Sequence, residues 1–383
     1  MPRDSIGLVL SGGGARGAFE VGVLTYIADV LPDLLARIRV VTGASVGAVN
    51  ASFLAAKGLT PDSVRELAEL WRGLEVEKLI SLSHLSAIKL VTAAPMRLFR
   101  RSLKSPVTGL LDARGLWTLV ARRTDWPGIA ANVASGRFDA VAVVGTDIGR
   151  GEPHVFVDAR PPPTRLSEFV VVPTEIELSH VLASAAIPLL FPPVRIGKNW
   201  YMDGGVRNNT PLAPALRLGA DSLLIISTRG VETSDGELGT YPGVGQVVGK
   251  LLDAVFLDRV VYDLDRLTRI NDVVAAVEAL GPKLAGDFRA QLAAQGRPQY
   301  RRVPYVNIGP DADLGALAAE HVRKTGTTGP LSFVRALGAL FENDERTSGD
   351  AASFLLFDGA YAAKLIDRGA EDAAARHAEL AAL

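Results

Sequence analysis

The chain has 383 residues, enough for one large domain or two ordinary ones, and its 48% apolar and 22% charged residues suit a globular protein with a substantial core. A formal net charge of -1 provides no overall field to attract nucleic acid. Cysteine is absent, which excludes disulfides, thiolate nucleophiles and cysteine metal sites and fits a reducing compartment such as the cytoplasm; the five histidines are scattered without metal-ligand spacing, so neither a metal nor a cofactor is expected.

The first apolar run, Ile6 to Leu10, reads as a buried parallel strand because it is continuous rather than alternating. It is too short for a secretion-signal core. It enters Ser11-Gly12-Gly13-Gly14-Ala15-Arg16-Gly17, after which Ala18 to Val30 has a helical pattern ending before Pro32. Strand, glycine loop and helix together form an anion cradle, with inward-facing backbone N–H groups and a helix dipole behind them. Gly12, Gly14 and Gly17 satisfy the dinucleotide fingerprint, but that motif also wants an acidic residue at the end of the second strand. Asp33 lies ahead of that strand, in the preceding loop. The competing reading is an oxyanion hole for an acyl intermediate. Arg16 is either an ordinary exposed charge or a cation that positions the loop or substrate.

The second strand, about Ile38 to Thr42, ends in Gly43-Ala44-Ser45-Val46-Gly47, the sequence form of a nucleophile elbow. A side chain thrown out at the tip of a sharp strand-to-helix turn needs small neighbours two positions on either side. A plain glycine-rich turn has the same sequence form. If both turns lie at the carboxyl edge of one parallel sheet, the glycine cradle and Ser45 share a crevice.

Pro61 to Trp71 reads as an amphipathic helix capped by Thr60. Leu79 to Leu111 has no acidic residue but carries Lys89, Arg97, Arg100, Arg101 and Lys104 among apolar residues. Such a segment is either an insertion packed on the core or a contact for an anionic lipid surface. Two short helices follow within Asp112 to Asn132, then a strand from Phe138 to Val144 whose exit turn holds Asp147 as an Asx-turn residue. Val155 to Val157 is a short strand and Pro161-Pro162-Pro163 a rigid loop.

Glu177 to Ala186 reads as a tightly packed helix stopped by Pro188. A strand pair, Val194 to Ile196 and Trp200 to Met202, turns at Gly197-Lys198-Asn199 and delivers Asp203-Gly204-Gly205. Asp-Gly is a turn signal, yet the hairpin already has its turn, which leaves Asp203 at a strand exit with glycines clearing space around it. Thr210-Pro211 starts a helix, and Leu223 to Ser227 is another buried strand. Beyond it come a polar loop at Gly230 to Gly245, a largely helical stretch from Val247 to Leu280, a strand at Tyr305 to Ile308, and a helical remainder with a loop around Asn343 to Asp350. No run reaches the ~18 apolar residues of a membrane span.

Gly12-Gly13-Gly14-Ala15-Arg16-Gly17, Gly43-Ala44-Ser45-Val46-Gly47 and Asp203-Gly204-Gly205, in that order, resemble the patatin-like phospholipases. Ala183-Ser184-Ala185-Ala186-Ile187-Pro188 and Asn209-Thr210-Pro211 resemble that family too. The resemblance implies an α/β protein with a three-layer α/β/α patatin-like fold, a mainly parallel central sheet and additional C-terminal helices. It covers a catalytic core of residues 1–230, with 79–111 as an insertion or cap; residues 231–383 would complete the same domain. It further implies hydrolysis of phospholipid or lysophospholipid esters by a Ser–Asp dyad. Ser45 would be the nucleophile and Asp203 the base, with Gly12, Gly13, Gly14 and Arg16 forming the oxyanion hole. Gly17, Gly43, Gly47, Gly204 and Gly205 would support the motifs. The partner would be a lipid presented at a membrane surface, for a cytoplasmic and at most peripherally bound protein.

An aspartate with an ordinary pKa near 3.9 is a weak base, so Asp203 should occupy a desolvated crevice that raises it. Two rivals stand beside this reading. One is a Ser–His–Asp esterase using His321; the other is a lipid- or nucleotide-binding module with a silent elbow.

Overall fold

The computed structural model describes residues 5–82, 109, 111–161, 169–229, 259–295, 300–325 and 352–383. The basic positions Lys89 to Lys104 and the polar loops at 230–245 and 343–350 lie outside the described residues, as do residues 162–163.

Eleven strands are described. Nine form the main sheet: β1 (Ile6–Leu10), β2 (Ile38–Ala44), β5 (Ala140–Asp147), β6 (Glu152–Ala159), β7 (Val170–Pro173), β8 (Val194–Ile196), β9 (Asn199–Asp203), β10 (Ser222–Ile226) and β11 (Tyr305–Ile308). The short β3 (Ser81–Leu82) and β4 (Leu111–Asp112) pair separately. The main order is β11-β10-β1-β2-β5-β6-β7, parallel from β11 through β5, with β6 antiparallel to β5.

The helices among the described residues include α1 (Gly17–Val30), α2 (Pro32–Arg37), α3 (Val46–Ala56), α4 (Pro61–Arg72), α5 (Val76–Leu79), α6 (Arg114–Arg123), α7 (Trp126–Ala134), α8 (Leu178–Ser184), α9 (Gly205–Asn208), α10 (Leu212–Arg217), α11 (Arg259–Ala279), α12 (Pro282–Ala294), α13 (Leu314–Thr325), α14 (Gly359–Ala375) and α15 (His377–Ala382).

The three layers follow from strand alternation. Leu8, Leu10, Val41, Leu224 and Ile226 point into the larger core with α1, α3 and α14, whereas Val9, Val40, Leu223 and Ile225 point into a second core with α10 and α11. A parallel strand covered on both faces has no solvent side, hence the unbroken apolar run of β1. The larger core also takes in Phe354, Leu356, Tyr361 and Leu365 from the end of the chain.

Several sequence expectations shift by a turn or less. Asp33 sits in α2 rather than a loop, because Pro32 opens a new helix directly after α1. The strand expected to stop at Val144 continues to Asp147, held by pairing with β6 on one side and β9 on the other. The helix expected to start at Pro211 starts at Leu212. The strand Val170–Pro173 carried no clear sequence signal and forms as an edge on β6.

Candidate active site

The turn from β2 into α3 is sharp. Ser45 has φ 51 and ψ -125, a conformation that L-residues with a side chain rarely adopt and that costs roughly 1–3 kcal/mol. The flanking glycines make it sterically feasible: a Cβ on Gly47 would lie 2.5 Å from the carbonyl oxygen of Leu10, and one on Gly43 would lie 2.4 Å from that of Gly47. The elbow therefore packs directly against the end of β1, beside the glycine loop.

Sheet register brings the second motif to the same point. Ala44, the last residue of β2, lies opposite Val144 of β5; Asp203, the last residue of β9, lies opposite Gly145. β2 runs parallel to β5 and β9 antiparallel, so the two strands approach along the same side of β5 and end facing each other. Ser45 and Asp203 thereby meet although 158 positions separate them, and Ser45 Oγ donates to Asp203 Oδ2 at 2.7 Å. Gly204 packs against the Val144 carbonyl and Gly205 donates its N–H to Asp203 Oδ1 at 2.7 Å. The Asp203 carboxyl is fully buried, and burial pushes its pKa from 3.8 up to about 7 against the opposing hydrogen bonds from Ser45 and Gly205.

The glycine loop is held by residues far along the chain. The Gly12 carbonyl accepts from Thr228 Oγ1 at 2.5 Å and Asn209 Nδ2 at 3.3 Å. The Gly12 N–H donates to the Asn209 carbonyl at 3.1 Å, so it is committed to the scaffold and is not available to an oxyanion, contrary to the sequence expectation. Among the described residues, the N–H groups of Gly13 and Gly14 have no acceptor. Gly14, at φ 57, opens a single 3-10 turn that leads into α1 at Gly17. Gly14 and Ser45 line one cavity.

Arg16 is buried, not an exposed charge: its Nε donates to Ser353 Oγ at 2.7 Å and its guanidinium lies 4.0 Å from the centre of the Phe354 ring. It joins the glycine loop to the last part of the chain.

A more than half-length stretch of the chain, residues 8–216, matches the family described as Patatin-like phospholipase. The chain belongs to the patatin-like phospholipase family. Its enzymatic class is therefore that of a lipid acyl hydrolase. Comparison with curated protein sequences returns no match. Similar solved structures include VipD from Legionella pneumophila, at 14% identity over 95% of this chain and 67% of that one, TM-score 0.36. Human GIVD cytosolic phospholipase A2 with a bound fluorophosphonate is 13% identical over all of this chain and 59% of that one, TM-score 0.40. Full-length ExoU of Pseudomonas aeruginosa, solved with SpcU, is 16% identical over 92% and 71%, TM-score 0.28.

His321 does not join Ser45. It is buried on α13, with Nε2 3.0 Å from Asp358 Oδ1 and Nδ1 3.3 Å from Lys364 Nζ, and its ring packs near Tyr361. Two contributors escaped the sequence reading. Thr228 had no signal because its role depends on β10 lying beside β1. Ser184 stood in a tightly packed helix and in a stretch that resembles the family, but with no role given to it; its hydroxyl accepts the Ser45 N–H at 2.9 Å.

Among the described residues no helix is long and apolar enough to cross a membrane, and no cluster of three or more His, Asp or Glu side chains could hold a metal ion.

Proposed function

We propose that this lipid acyl hydrolase cleaves carboxylic esters of phospholipids or lysophospholipids through a Ser45–Asp203 dyad. The observation that carries the reading is the 2.7 Å hydrogen bond from Ser45 Oγ to a buried carboxylate.

Asp203 Oδ2 takes the hydroxyl proton as Ser45 Oγ attacks the acyl carbonyl carbon. Negative charge moves to the carbonyl oxygen, where the N–H groups of Gly13 and Gly14 receive it, reinforced by the 3-10 turn and α1 behind them. Collapse of the tetrahedral species breaks the ester C–O bond, and the departing alkoxide takes the proton from Asp203. Water then gives a proton to Asp203 and attacks the acyl-serine carbonyl. The second collapse returns that proton to Ser45 Oγ and releases the fatty acid. Arg16 braces the loop from behind through Ser353 and Phe354, and no step needs a cofactor.

The test is turnover of phospholipid and lysophospholipid by wild type, Ser45→Ala and Asp203→Asn, with folding checked by circular dichroism, alongside fluorophosphonate labelling. Wild type should be labelled at Ser45 and both variants should lose turnover by at least ~10³-fold. A folded Ser45→Ala variant that keeps turnover would remove the dyad. Loss on His321→Ala, with His321 now placed against Asp358 and Lys364, would instead favour a histidine-dependent route.

A further inference from the structure

A cavity partly open to solvent is lined by Ser45 and by residues of the helices around it. Val46, Val49, Asn50 and Phe53 line it from α3, the spacing of one helical face. α4 returns alongside α3 in the opposite direction, so that Trp71 meets Asn50, its Nε1 donating to Asn50 Oδ1 at 3.0 Å, while Leu67 lies further from Ser45. α6 supplies the third wall. Trp117, near its start, packs edge-on against Phe191 at 5.5 Å between ring centres. Thr124 follows its last residue and leads into α7, whose Asn132 Nδ2 donates to the carbonyls of Ala55 and Ala56 at the far end of α3.

Ser45 and Phe53 thus border the cavity from the two ends of this α3 face. Eight residues of helix separate them, about 12 Å at ~1.5 Å per residue. Phe53 is buried and lies under Lys57, whose Nζ is 5.3 Å from the ring centre. An apolar chain that reached past Phe53 would meet Lys57, ion-paired with Glu66, whose desolvation is unfavourable.

We propose that this cavity holds the acyl chain of the substrate and that Phe53 is its end stop, making the enzyme selective for acyl groups of about ten carbons, at the ~1.2 Å per bond of an extended chain. The proposal rests on the assignment of Ser45 as nucleophile and adds the substrate's chain-length class and the residue that sets it. Within the cavity each added methylene is removed from water, and kcat/KM rises about fourfold per carbon. Past the stop the gain ends.

The experiment measures kcat/KM for p-nitrophenyl esters from butanoate to hexadecanoate, kept below their aggregation limits. It compares wild type, Phe53→Ala, Phe53→Leu and Val49→Phe. The readout is the ratio of tetradecanoate to octanoate within each protein, which is independent of the fraction that folds. Wild type should peak near decanoate. Phe53→Ala should raise the ratio at least ~10-fold, and Phe53→Leu by less, since volume is opened at the far end. Val49→Phe, one turn from Ser45, should move the peak below octanoate. Profiles of the Phe53 variants that superimpose on wild type, while Ser45→Ala abolishes turnover, would overturn the end stop and leave the nucleophile standing. Turnover that survives Ser45→Ala would overturn both.

Discussion

Ser184 accepts the backbone N–H of Ser45 on its hydroxyl at 2.9 Å, and its own carbonyl accepts the N–H of Gly204 at 3.1 Å. One residue at the end of α8 therefore bridges the two turns that carry Ser45 and Asp203. The bridge matters because Ser45 is held at a positive φ and its buried N–H has no water to turn to.

Ser184→Ala leaves that N–H without an acceptor, at a cost of about 1–3 kcal/mol. The melting temperature should fall, and kcat should fall about tenfold as the elbow relaxes, with less change in KM. Thermal unfolding and steady-state kinetics check this. Unchanged values for both would mean that the Ser45 conformation is held by the helix and glycine packing alone.

The proposed dyad carries a pH dependence of activity. In it only the ionised form of Asp203 accepts the Ser45 proton, and burial pushes its pKa up to about 7. Activity should therefore rise with pH and half-saturate near neutrality, about three units above an exposed aspartate. A kcat/KM profile already flat from pH 5 upwards would show that the carboxyl is solvated in the working enzyme.

Much of this site is legible in the sequence because steric rules act locally. Gly43 and Gly47 announce an elbow since nothing larger fits, Gly47 lying against the Leu10 carbonyl and Gly43 against that of Gly47, and continuous apolar runs announce strands buried on both faces. Asp203 was legible as a residue left at a strand exit after the hairpin turn had been supplied. The distance between Ser45 and Asp203 was not, because it depends on β2 and β9 ending at adjacent positions on β5. The Gly12 amide misled for a similar reason. Its partner, the Asn209 carbonyl, comes from a turn 197 positions away, and no local pattern reports that the amide is taken. Arg16 was ambiguous until Ser353 and Phe354 were seen to close over it.

Stability should carry the opposite pH signature to activity. Asp203 and Glu20 are both fully buried with raised pKa values, chiefly from desolvation; for Glu20 the hydrogen bonds from Asn50 Nδ2, at 2.9 Å, and the Ser11 backbone offset that burial only in part. A carboxyl with a higher pKa in the folded state than in the unfolded state binds more protons when folded. The stabilisation is complete below the unfolded values, 3.8 for Asp203 and 4.5 for Glu20, and is lost as pH rises toward each folded value. For Asp203 the loss finishes near pH 7. Denaturant midpoints taken across this range should fall with pH in wild type and fall less in Glu20→Gln, which keeps the shape and cannot ionise. Parallel curves for the two proteins would place the Glu20 carboxyl in contact with water.

Thr228 offers the sharpest test of the glycine loop, because it touches neither Ser45 nor Asp203 by hydrogen bond. Its hydroxyl donates to the Gly12 carbonyl at 2.5 Å and its backbone N–H donates to Ser11 Oγ at 2.9 Å. Thr228→Val keeps the volume and the backbone contact and removes only the hydroxyl, while Asn209 still serves the Gly12 carbonyl. In the proposed mechanism, loosening of the Gly13 and Gly14 amides weakens the hold on the developing oxyanion far more than the hold on the bound ester. The expected result is a fall in kcat of about tenfold with KM nearly constant, since losing a whole donor costs ~10²–10³ and here the donors are only misplaced. Thr228→Ser, which restores the hydroxyl, should recover most of the rate. A Thr228→Val enzyme with wild-type kcat, or a Thr228→Ser enzyme as slow as the valine variant, would show that the loop is set by Arg16 and Asn209 without this bond.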